Sequence, residues 1–355
     1  MSHNPLPPAG KPEGDRVQPP HGEAREIDPS LAEAAPQRIS ELIDRIRESA
    51  DKLAKDQTSR GDLKILSRTL RELRYAFKVF APYRGYRKVT MFGSARTLPQ
   101  EPAYRQAVDF GRRMAASQWM VVTGAASGIM EAGHLGAGRE HSMGLNILLP
   151  FEQSANPIIA GDRKLVYMKY FFTRKLMFVK ESDAFCLMPG GFGTLDEGLE
   201  VLTLLQTGKH DMMPVVLLDQ PGGDYWAVFD QFVRRQLLDR GMIGPEDLSL
   251  YRLTDRLEEA VQEILGFYRV YHSMRYVRTN LVFRLQQVPS DELLEEINDR
   301  FRDILVEGRF MVGGPLPEER DETELATLPR LIFHFNRRAC GRLRQLIDCI
   351  NGGVQ

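Results

Sequence analysis

Residues 189–197 read Pro-Gly-Gly-Phe-Gly-Thr-Leu-Asp-Glu, and this segment constrains the fold of the chain more than any other. A short apolar run at residues 184–188 precedes it and has the character of a strand. Beyond it, apolar side chains recur at helical spacing, at Leu195, Leu199, Leu202 and Leu205. The segment is therefore predicted to be a glycine-rich turn that joins a strand to the N-terminus of a helix.

The composition of this turn is typical of a phosphate-binding loop. Gly190, Gly191 and Gly193 let the backbone approach a ligand closely, and a helix N-terminus offers free N–H groups and the positive end of its dipole. Glu197 falls one turn into the helix. A carboxylate at that position does not suit phosphate binding, but it is well placed to act on the rest of a phosphorylated ligand.

Strands and helices are predicted to alternate between residues 85 and 268. Strands are predicted at 89–92, 119–123, 145–149, 184–188 and 214–218, and helices at 102–117, 128–138 and 165–180. This alternation predicts an α/β fold, a Rossmann-like parallel sheet with helices on both faces. Such sheets bind ligands beyond the carboxyl ends of their strands. Because three of the five predicted strands end in glycine-rich turns, a site is expected there.

The chain is predicted to have four segments. Residues 1–36 are expected to be a disordered tail, because they are rich in proline, glycine and charge and have little apolar surface to bury. Residues 37–84 form a helical arm, interpreted as a lid or an oligomerisation element. Residues 85–268 form the Rossmann-like catalytic domain, and residues 271–355 form a small α/β accessory domain. The accessory domain is predicted to contain strands at 280–285, 310–312 and 329–335 and helices at 290–306 and 338–350.

Composition narrows the possible ligands and the compartment. The formal charge of −1 over 355 residues argues against a surface built to bind nucleic acid. No apolar run reaches the roughly 18 residues that a membrane span needs, and the N-terminus lacks the apolar core of a signal peptide. The three cysteines lack metal-ligand spacing and are too few for a disulfide framework. We therefore expect a cytoplasmic protein without a metal, a nucleic-acid partner or a membrane partner.

Arg174 and Lys175 interrupt the mostly apolar helix predicted at 165–180. An arginine on such a helix commonly extends to solvent. This helix, however, leads into the strand that ends at residue 188. Arg174 is therefore expected to lie close to the glycine-rich turn.

These segments together resemble the LOG (Lonely Guy) family, the cytokinin riboside 5′-monophosphate phosphoribohydrolases, many of whose bacterial members have been labelled lysine decarboxylases. The resemblance covers residues 85–265 and rests on Arg174-Lys175 and residues 189–197, with support from 92–96, 128–132, 144–147 and Asn156. It implies hydrolysis of the N-glycosidic bond of a nucleoside 5′-monophosphate, such as AMP or a cytokinin nucleotide, to free base and ribose 5-phosphate. It also implies that no cofactor is needed and that the protein is a homodimer or a higher even-numbered homo-oligomer.

The resemblance assigns roles to individual residues. Glu197 and Arg174 are the predicted catalytic residues. The carboxylate would stabilise an oxocarbenium-like sugar and activate water, and the guanidinium would hold phosphate or sugar oxygens or support the departing base. The predicted substrate-binding residues are Gly190, Gly191, Gly193, Thr194, Lys175, Gly93, Ser94, Gly124, Gly128 and Asn156.

The second predicted turn departs from the family pattern, because it reads Gly124-Ala125-Ala126-Ser127-Gly128 where three glycines are usual. The two methyl groups are expected to narrow the space beneath the ligand, and a positive φ at either alanine would cost about 1 kcal/mol. This departure keeps an alternative open, a nucleotide or molybdenum-cofactor carrier on the same fold that binds without hydrolysis. Nearby, His134 and His141 lack metal spacing and are expected to be ordinary surface or helix-end residues.

Overall fold

The computed structural model describes residues 34–149 and 154–352 and divides the chain into two compact units, Met1–Thr58 and Ser59–Gln355. The first unit contains the described helix α1 (Ala34–Lys55). The apolar stripe predicted for this helix is present and exposed, and consists of Ile39, Leu42, Ile43 and Ile46. The predicted disordered tail lies outside the described residues, except for residues 34–36, with which α1 begins.

A seven-stranded parallel sheet forms the centre of the second unit. Its strands are β1 (Lys88–Phe92), β2 (Met120–Thr123), β3 (Ser142–Ile147), β4 (Leu165–Met168), β5 (Ala184–Leu187), β6 (Val215–Leu218) and β7 (Arg252–Thr254). They lie in the order β4-β3-β2-β1-β5-β6-β7, which confirms the predicted Rossmann-like α/β fold. The connections reverse direction between β1 and β5, so the turns that follow these two strands are neighbours.

Helices cover both faces of this sheet. They are α2 (Arg60–Phe80), α3 (Pro102–Ala116), α4 (Ile129–Ala137), α5 (Phe171–Glu181), α6 (Phe192–Gln206), α7 (Tyr225–Phe232) and α8 (Leu257–Phe267). Val121 and Val122 of β2 belong to different cores, because successive side chains of a strand point to opposite faces. Helices α2, α5 and α6 supply side chains to one core, and α3, α4 and α8 to the other. None of the described helices has the length and apolar character of a membrane span.

Residues 165–168 are predicted to begin a helix, and this prediction is wrong because they form the edge strand β4. Leu165 pairs with Gly144 and Met168 pairs with Ile147 of β3. Within β4 only Tyr167 is exposed, so burial does not follow a helical period. A short apolar run fits either a strand or a helix, and here the free edge of β3 decides.

The C-terminal part of this unit contains a four-stranded antiparallel sheet in the order β10-β11-β9-β8. Its elements are β8 (Tyr271–Val277), β9 (Asn280–Leu285), α9 (Asp291–Arg300), β10 (Met311–Gly313), β11 (Arg330–Phe333) and α10 (Cys340–Gly352). The sequence predicts all of these except β8. The ring centroid of Tyr271 lies 5.3 Å from that of Phe267 on α8 and 5.1 Å from that of Phe283 on β9. The second sheet therefore shares its core with the parallel sheet.

Glu72 fixes α2 to the beginning of α5. Its carboxylate is buried and accepts hydrogen bonds from Nε of Arg68 (2.7 Å), from the backbone N–H of Lys169 (2.8 Å) and from Oγ1 of Thr173 (2.9 Å). Burial raises the pKa of Glu72, but these hydrogen bonds outweigh it, so the pKa lies below its ordinary value. Helix α2 thus helps to hold α5, the helix that carries Arg174.

His134 is predicted to be a surface or a helix-end residue; it does lie in the last turn of α4, but it is fully buried, so the surface alternative is wrong. Its Nε2 donates to the carbonyl oxygen of Met143 (2.9 Å), and its Nδ1 accepts from the amide of Asn156 (3.2 Å). These two partners select the neutral ring with its proton on Nε2. Burial is the main reason that the pKa of His134 is lowered to about 4.

We expect His134→Gln to reduce the loss of unfolding free energy that accompanies a fall in pH below 6.5. The folded-state pKa of His134 is about 4, below the ordinary value of 6.5. The neutral ring therefore stabilises the fold above pH 6.5, and up to roughly 3 kcal/mol of that contribution is lost as the pH falls toward 4. Urea unfolding at several pH values, with His141→Gln as the control, measures this difference. Equal pH dependence of the free energy of unfolding in wild type and His134→Gln would contradict it.

Candidate functional site

Three backbone turns meet at the carboxyl edge of the parallel sheet, after β1, β2 and β5. The backbone N–H of Ser94, in the turn after β1, donates to the carbonyl oxygen of Pro189 in the turn after β5 (3.0 Å). The carbonyl oxygen of Ser94 in turn accepts from the N–H of Ile129, the first residue of α4 (3.0 Å). The turns are thus joined by main-chain hydrogen bonds.

Two glycines allow this close approach. Gly128 has a φ of +66°, and a Cβ there would lie 2.3 Å from the carbonyl oxygen of Ser94. At Gly190 a Cβ would lie 2.2 Å from Oγ1 of Thr194 and 3.0 Å from the backbone nitrogen of Ser94. At Gly191, by contrast, no atom of the described residues lies within 4 Å of such a Cβ, and this glycine lines the cavity. Gly128 and Gly190 therefore allow the turns to pack closely, whereas Gly191 leaves room for a ligand.

A cavity of about 610 Å³ lies between the three turns, which is in the usual range for a small-molecule site. Several of the predicted residues line it, namely Gly93, Ser94, Gly124, Arg174, Gly191, Gly193 and Thr194. The remaining predicted residues, Gly190, Lys175, Gly128, Asn156 and Glu197, are not part of its wall. Asn156 instead braces the second turn, because its amide donates to the carbonyl oxygen of Ala126 (3.1 Å) as well as to His134.

Glu197 is buried directly behind this wall, with 2% of its surface exposed. Its Oε1 lies 3.8 Å from Nη2 of Arg174 and its Oε2 lies 3.8 Å from Nζ of Lys175. Both distances exceed those of a hydrogen bond. Burial raises the pKa of Glu197 to about 7, against the opposing effect of the two cations. Burial therefore has a larger effect on this carboxyl group than the two cations have.

Arg174 connects Glu197 to the cavity. Its guanidinium lies over the ring of Phe171, with 5.0 Å to the centroid, and lines the cavity. Burial lowers the pKa of Arg174 below its ordinary value, although the charge of Glu197 opposes this. Its Nε is buried without a hydrogen-bond partner among the described residues. A buried donor without a partner is costly, so this group is suited to meet an oxygen of a bound ligand.

Lys175 is held away from the cavity. Its Nζ lies 2.7 Å from Glu200 and 2.9 Å from Asp196, both on α6. Burial lowers the pKa of Lys175, but the hydrogen bonds to these two carboxylates outweigh it and raise the pKa above its ordinary value. Lys175 therefore ties α5 to α6, and its contact with substrate remains a prediction.

The two alanines of the second turn differ in orientation. Ala125 has a φ of +57°, so one of the two positions does require positive φ. Its methyl group is fully buried in a small apolar cluster with Ala155, Ile159 and Leu165. Ala126 has no such φ and lines the cavity. Only one of the two methyl groups can therefore narrow the space for a ligand.

The structure adds residues that the sequence did not single out. Asn146 of β3 is buried, lines the cavity and donates to the carbonyl oxygen of Gly124 (3.3 Å). The sequence signal for Asn146 was that it is an amide residue in an otherwise apolar strand. The hydroxyl of Tyr225 donates to the carbonyl oxygen of Gly190 (2.7 Å), for which no sequence signal exists. Phe192, which is 92% exposed, forms part of the cavity rim.

Residues 123–264 match the family model described as possible lysine decarboxylase. The chain is 30% identical over 210 residues to the cytokinin riboside 5′-monophosphate phosphoribohydrolase LOG3 of Arabidopsis thaliana, covering 57% of this chain and 92% of that protein. It is 31% identical over 187 residues to the probable cytokinin riboside 5′-monophosphate phosphoribohydrolase LOG4 of Oryza sativa subsp. japonica, covering 50% of this chain and 76% of that protein.

Among solved structures, the chain is similar to the molybdenum cofactor carrier protein of Chlamydomonas reinhardtii. The two are 20% identical with a TM-score of 0.35, and the match covers 51% of this chain and 99% of the other. The similarity to LOG3 extends over nearly the whole of that relative. The residues matched by the family model, 123–264, include the glycine-rich turn and both predicted catalytic positions. The chain belongs to the LOG family of cytokinin riboside 5′-monophosphate phosphoribohydrolases.

Proposed function

We propose that this protein hydrolyses the N-glycosidic bond of a nucleoside 5′-monophosphate, of the AMP or cytokinin riboside monophosphate type, to free base and ribose 5-phosphate. The observation that carries the proposal is the buried carboxyl of Glu197 beside Arg174, immediately behind a cavity built from three glycine-containing turns. The names of the relatives support the same reaction.

The phosphate site of this proposal is the beginning of α6. The first N–H groups of a helix have no partner within the helix, and the helix dipole favours an anion there. Gly191 and Gly193 line the cavity without a side chain, and Thr194 adds a hydroxyl. No acidic residue occupies the first turn of α6. A phosphate bound here places the attached ribose toward Arg174 and Glu197.

The proposed reaction needs a carboxylate that stabilises positive charge on the sugar and a cation that holds the substrate in place. As the C1′–N bond breaks, its electron pair leaves with the base and positive charge develops on the sugar. The carboxylate of Glu197 stabilises that charge and takes a proton from the water whose oxygen adds to C1′. That proton then passes to the nitrogen of the released base, so the carboxylate is regenerated. Arg174, whose Nε has no partner among the described residues, donates to phosphate or ribose oxygens. Binding of the phosphate thereby fixes the position of C1′ relative to Glu197.

The proposal also includes a homodimer or higher even-numbered homo-oligomer. Phe171, Phe172 and Leu176 of α5 and Leu199 of α6 are each about half exposed. The ion pair between Lys175 and Glu200 joins these two helices, so the apolar side chains lie on adjacent surfaces. Exposed apolar side chains on two adjacent helices favour an interface at this surface. A second copy is the proposed partner, because most soluble oligomers are symmetric homo-oligomers.

Glu197→Gln should abolish most of the release of free base from AMP. The amide keeps the size of the side chain but can neither carry the negative charge nor accept the proton, so we expect kcat to fall by at least about 100-fold. Glu200→Gln is the matched control, because that carboxylate lies one turn further on α6 and faces Lys175. Chromatographic assay of free adenine measures both. Binding of AMP without release of adenine by the wild type would support a carrier instead.

The pH dependence of kcat/KM gives a second test. The pKa of Glu197 is raised to about 7, and the ionised form is the active one in the proposed reaction. We therefore expect kcat/KM to rise about tenfold per pH unit below 7 and to level off above it. Residual activity of Glu197→Gln should lack this step. The rates are measured from about pH 5.5 to about pH 8 at intervals of about half a unit. A wild-type kcat/KM that does not change over this range would contradict the role proposed for Glu197.

The proposed interface predicts that Phe172→Glu combined with Leu176→Glu lowers the oligomeric state. Two carboxylates on the apolar patch would have to be buried without partners, which association cannot readily offset. Val228→Glu combined with Phe232→Glu is the matched control, because it changes an exposed apolar pair of the same spacing on α7. Light scattering of the purified proteins measures the mass. A monomeric wild type, or an unchanged mass in the α5 variant, would contradict the proposed interface.

A further inference from the structure

A second large cavity, of about 700 Å³, lies at the opposite edge of the parallel sheet. Its wall includes residues at the amino ends of the strands, among them Arg87 before β1, Asp183 before β5 and Met213 before β6. Tyr271, His272 and Tyr276 of β8 close the other side. This cavity is therefore distinct from the candidate active site, which lies at the carboxyl ends of the same strands.

The same two helices extend from one cavity to the other. Arg174 lies near the beginning of α5 and Lys180 near its end, and Lys180 lines the second cavity. Glu197 lies near the beginning of α6, and Gly208 and Lys209, which follow that helix, also line the second cavity. With its 11 residues α5 is about 16 Å long, so the two sites are separated by roughly that distance.

Positive charge dominates the wall of the second cavity. Among the residues that the structure describes, four lysine or arginine side chains line it but only two carboxylates do, those of Asp183 and Asp211. Arg87 is engaged, because it lies over the ring of Tyr268 and pairs with Asp183. Lys180 pairs with Glu181 outside the wall.

Arg84 and Lys209 supply the charge that is available to a ligand. Both are exposed, and neither has an ion-pair partner within residues 34–149 and 154–352. Burial and the arginines nearby lower the pKa of His272, which is a separate sign of positive potential at this wall. Unpaired cations around a cavity of this size favour an anionic ligand.

Tyrosine rings form the rest of the wall. Tyr271 is buried and Tyr86 and Tyr268 are partly buried, whereas Tyr276 is exposed. Exposed tyrosine rings beside unpaired cations suit a molecule with both a planar aromatic group and a phosphate, since rings stack and cations bind phosphate. We propose that this second cavity binds an anionic ligand of the nucleotide class.

Calorimetry on the full chain, with ADP as the probe, tests this inference without depending on the hydrolytic reaction. Arg174→Ala should retain ADP binding at the second cavity. Arg84→Glu combined with Lys209→Glu should weaken that binding at least about tenfold, because two attractive charges become repulsive. Arg302→Glu combined with Arg309→Glu is the matched control, because both of these arginines are exposed and neither lines the cavity.

Three results would overturn the inference. The first is a wild type that does not bind ADP. The second is ADP binding that requires Arg174 and is unaffected by reversal of Arg84 and Lys209, which would place the nucleotide in the candidate active site. The third comes from inorganic pyrophosphate as a second probe. If tyrosine stacking contributes, ADP should bind about tenfold more tightly, and equal affinities would leave only a simple anion site.

Discussion

The burial of Glu197 is the interaction on which the rest of the candidate site depends. A carboxylate removed from water normally stays charged only when cations hydrogen-bond to it. Here Arg174 and Lys175 lie near, but at 3.8 Å neither one donates to it. Desolvation therefore prevails, and the pKa rises to about 7. The chemical state of the candidate site therefore depends on how far Glu197 is kept from water.

Sheet topology places these charges together. Helix α5 leads into β5 and α6 leaves it, so Arg174 and Glu197 come from the two helices that flank one strand. β5 lies beside β1 at the point where the strand order reverses, and this brings the turn that contains Ser94 against Pro189. Lys175 then links α5 to α6 through Asp196 and Glu200. The geometry of the site is thus a consequence of the strand order, fixed by local ion pairs.

Much of this could be predicted from local patterns in the sequence, and the failures share one physical cause. The glycine-rich turn, the helix after it and most strands were predictable because each depends on residues adjacent in the chain. β4 was missed because four apolar residues fit two structures, and pairing with Gly144 and Ile147 of β3 decides between them. The burial of His134 depends on Met143 and Asn156, which spacing alone does not bring together. Likewise, the ion pairs of Lys175 with Asp196 and Glu200 depend on the packing of α5 against α6, which the sequence pattern does not give.

The alanines of the second turn show how a departure from a family pattern can be tolerated. Ala125 adopts positive φ, which costs an L-residue about 1 kcal/mol or somewhat more. Its methyl group is buried against Ile159 and Leu165, and burial of one such group contributes about 0.8 kcal/mol. The two terms nearly cancel, so alanine at this position is close to neutral for the stability of the turn. Its methyl group also points away from the cavity, so any effect of the departure on ligand selection falls to Ala126, the alanine that lines it.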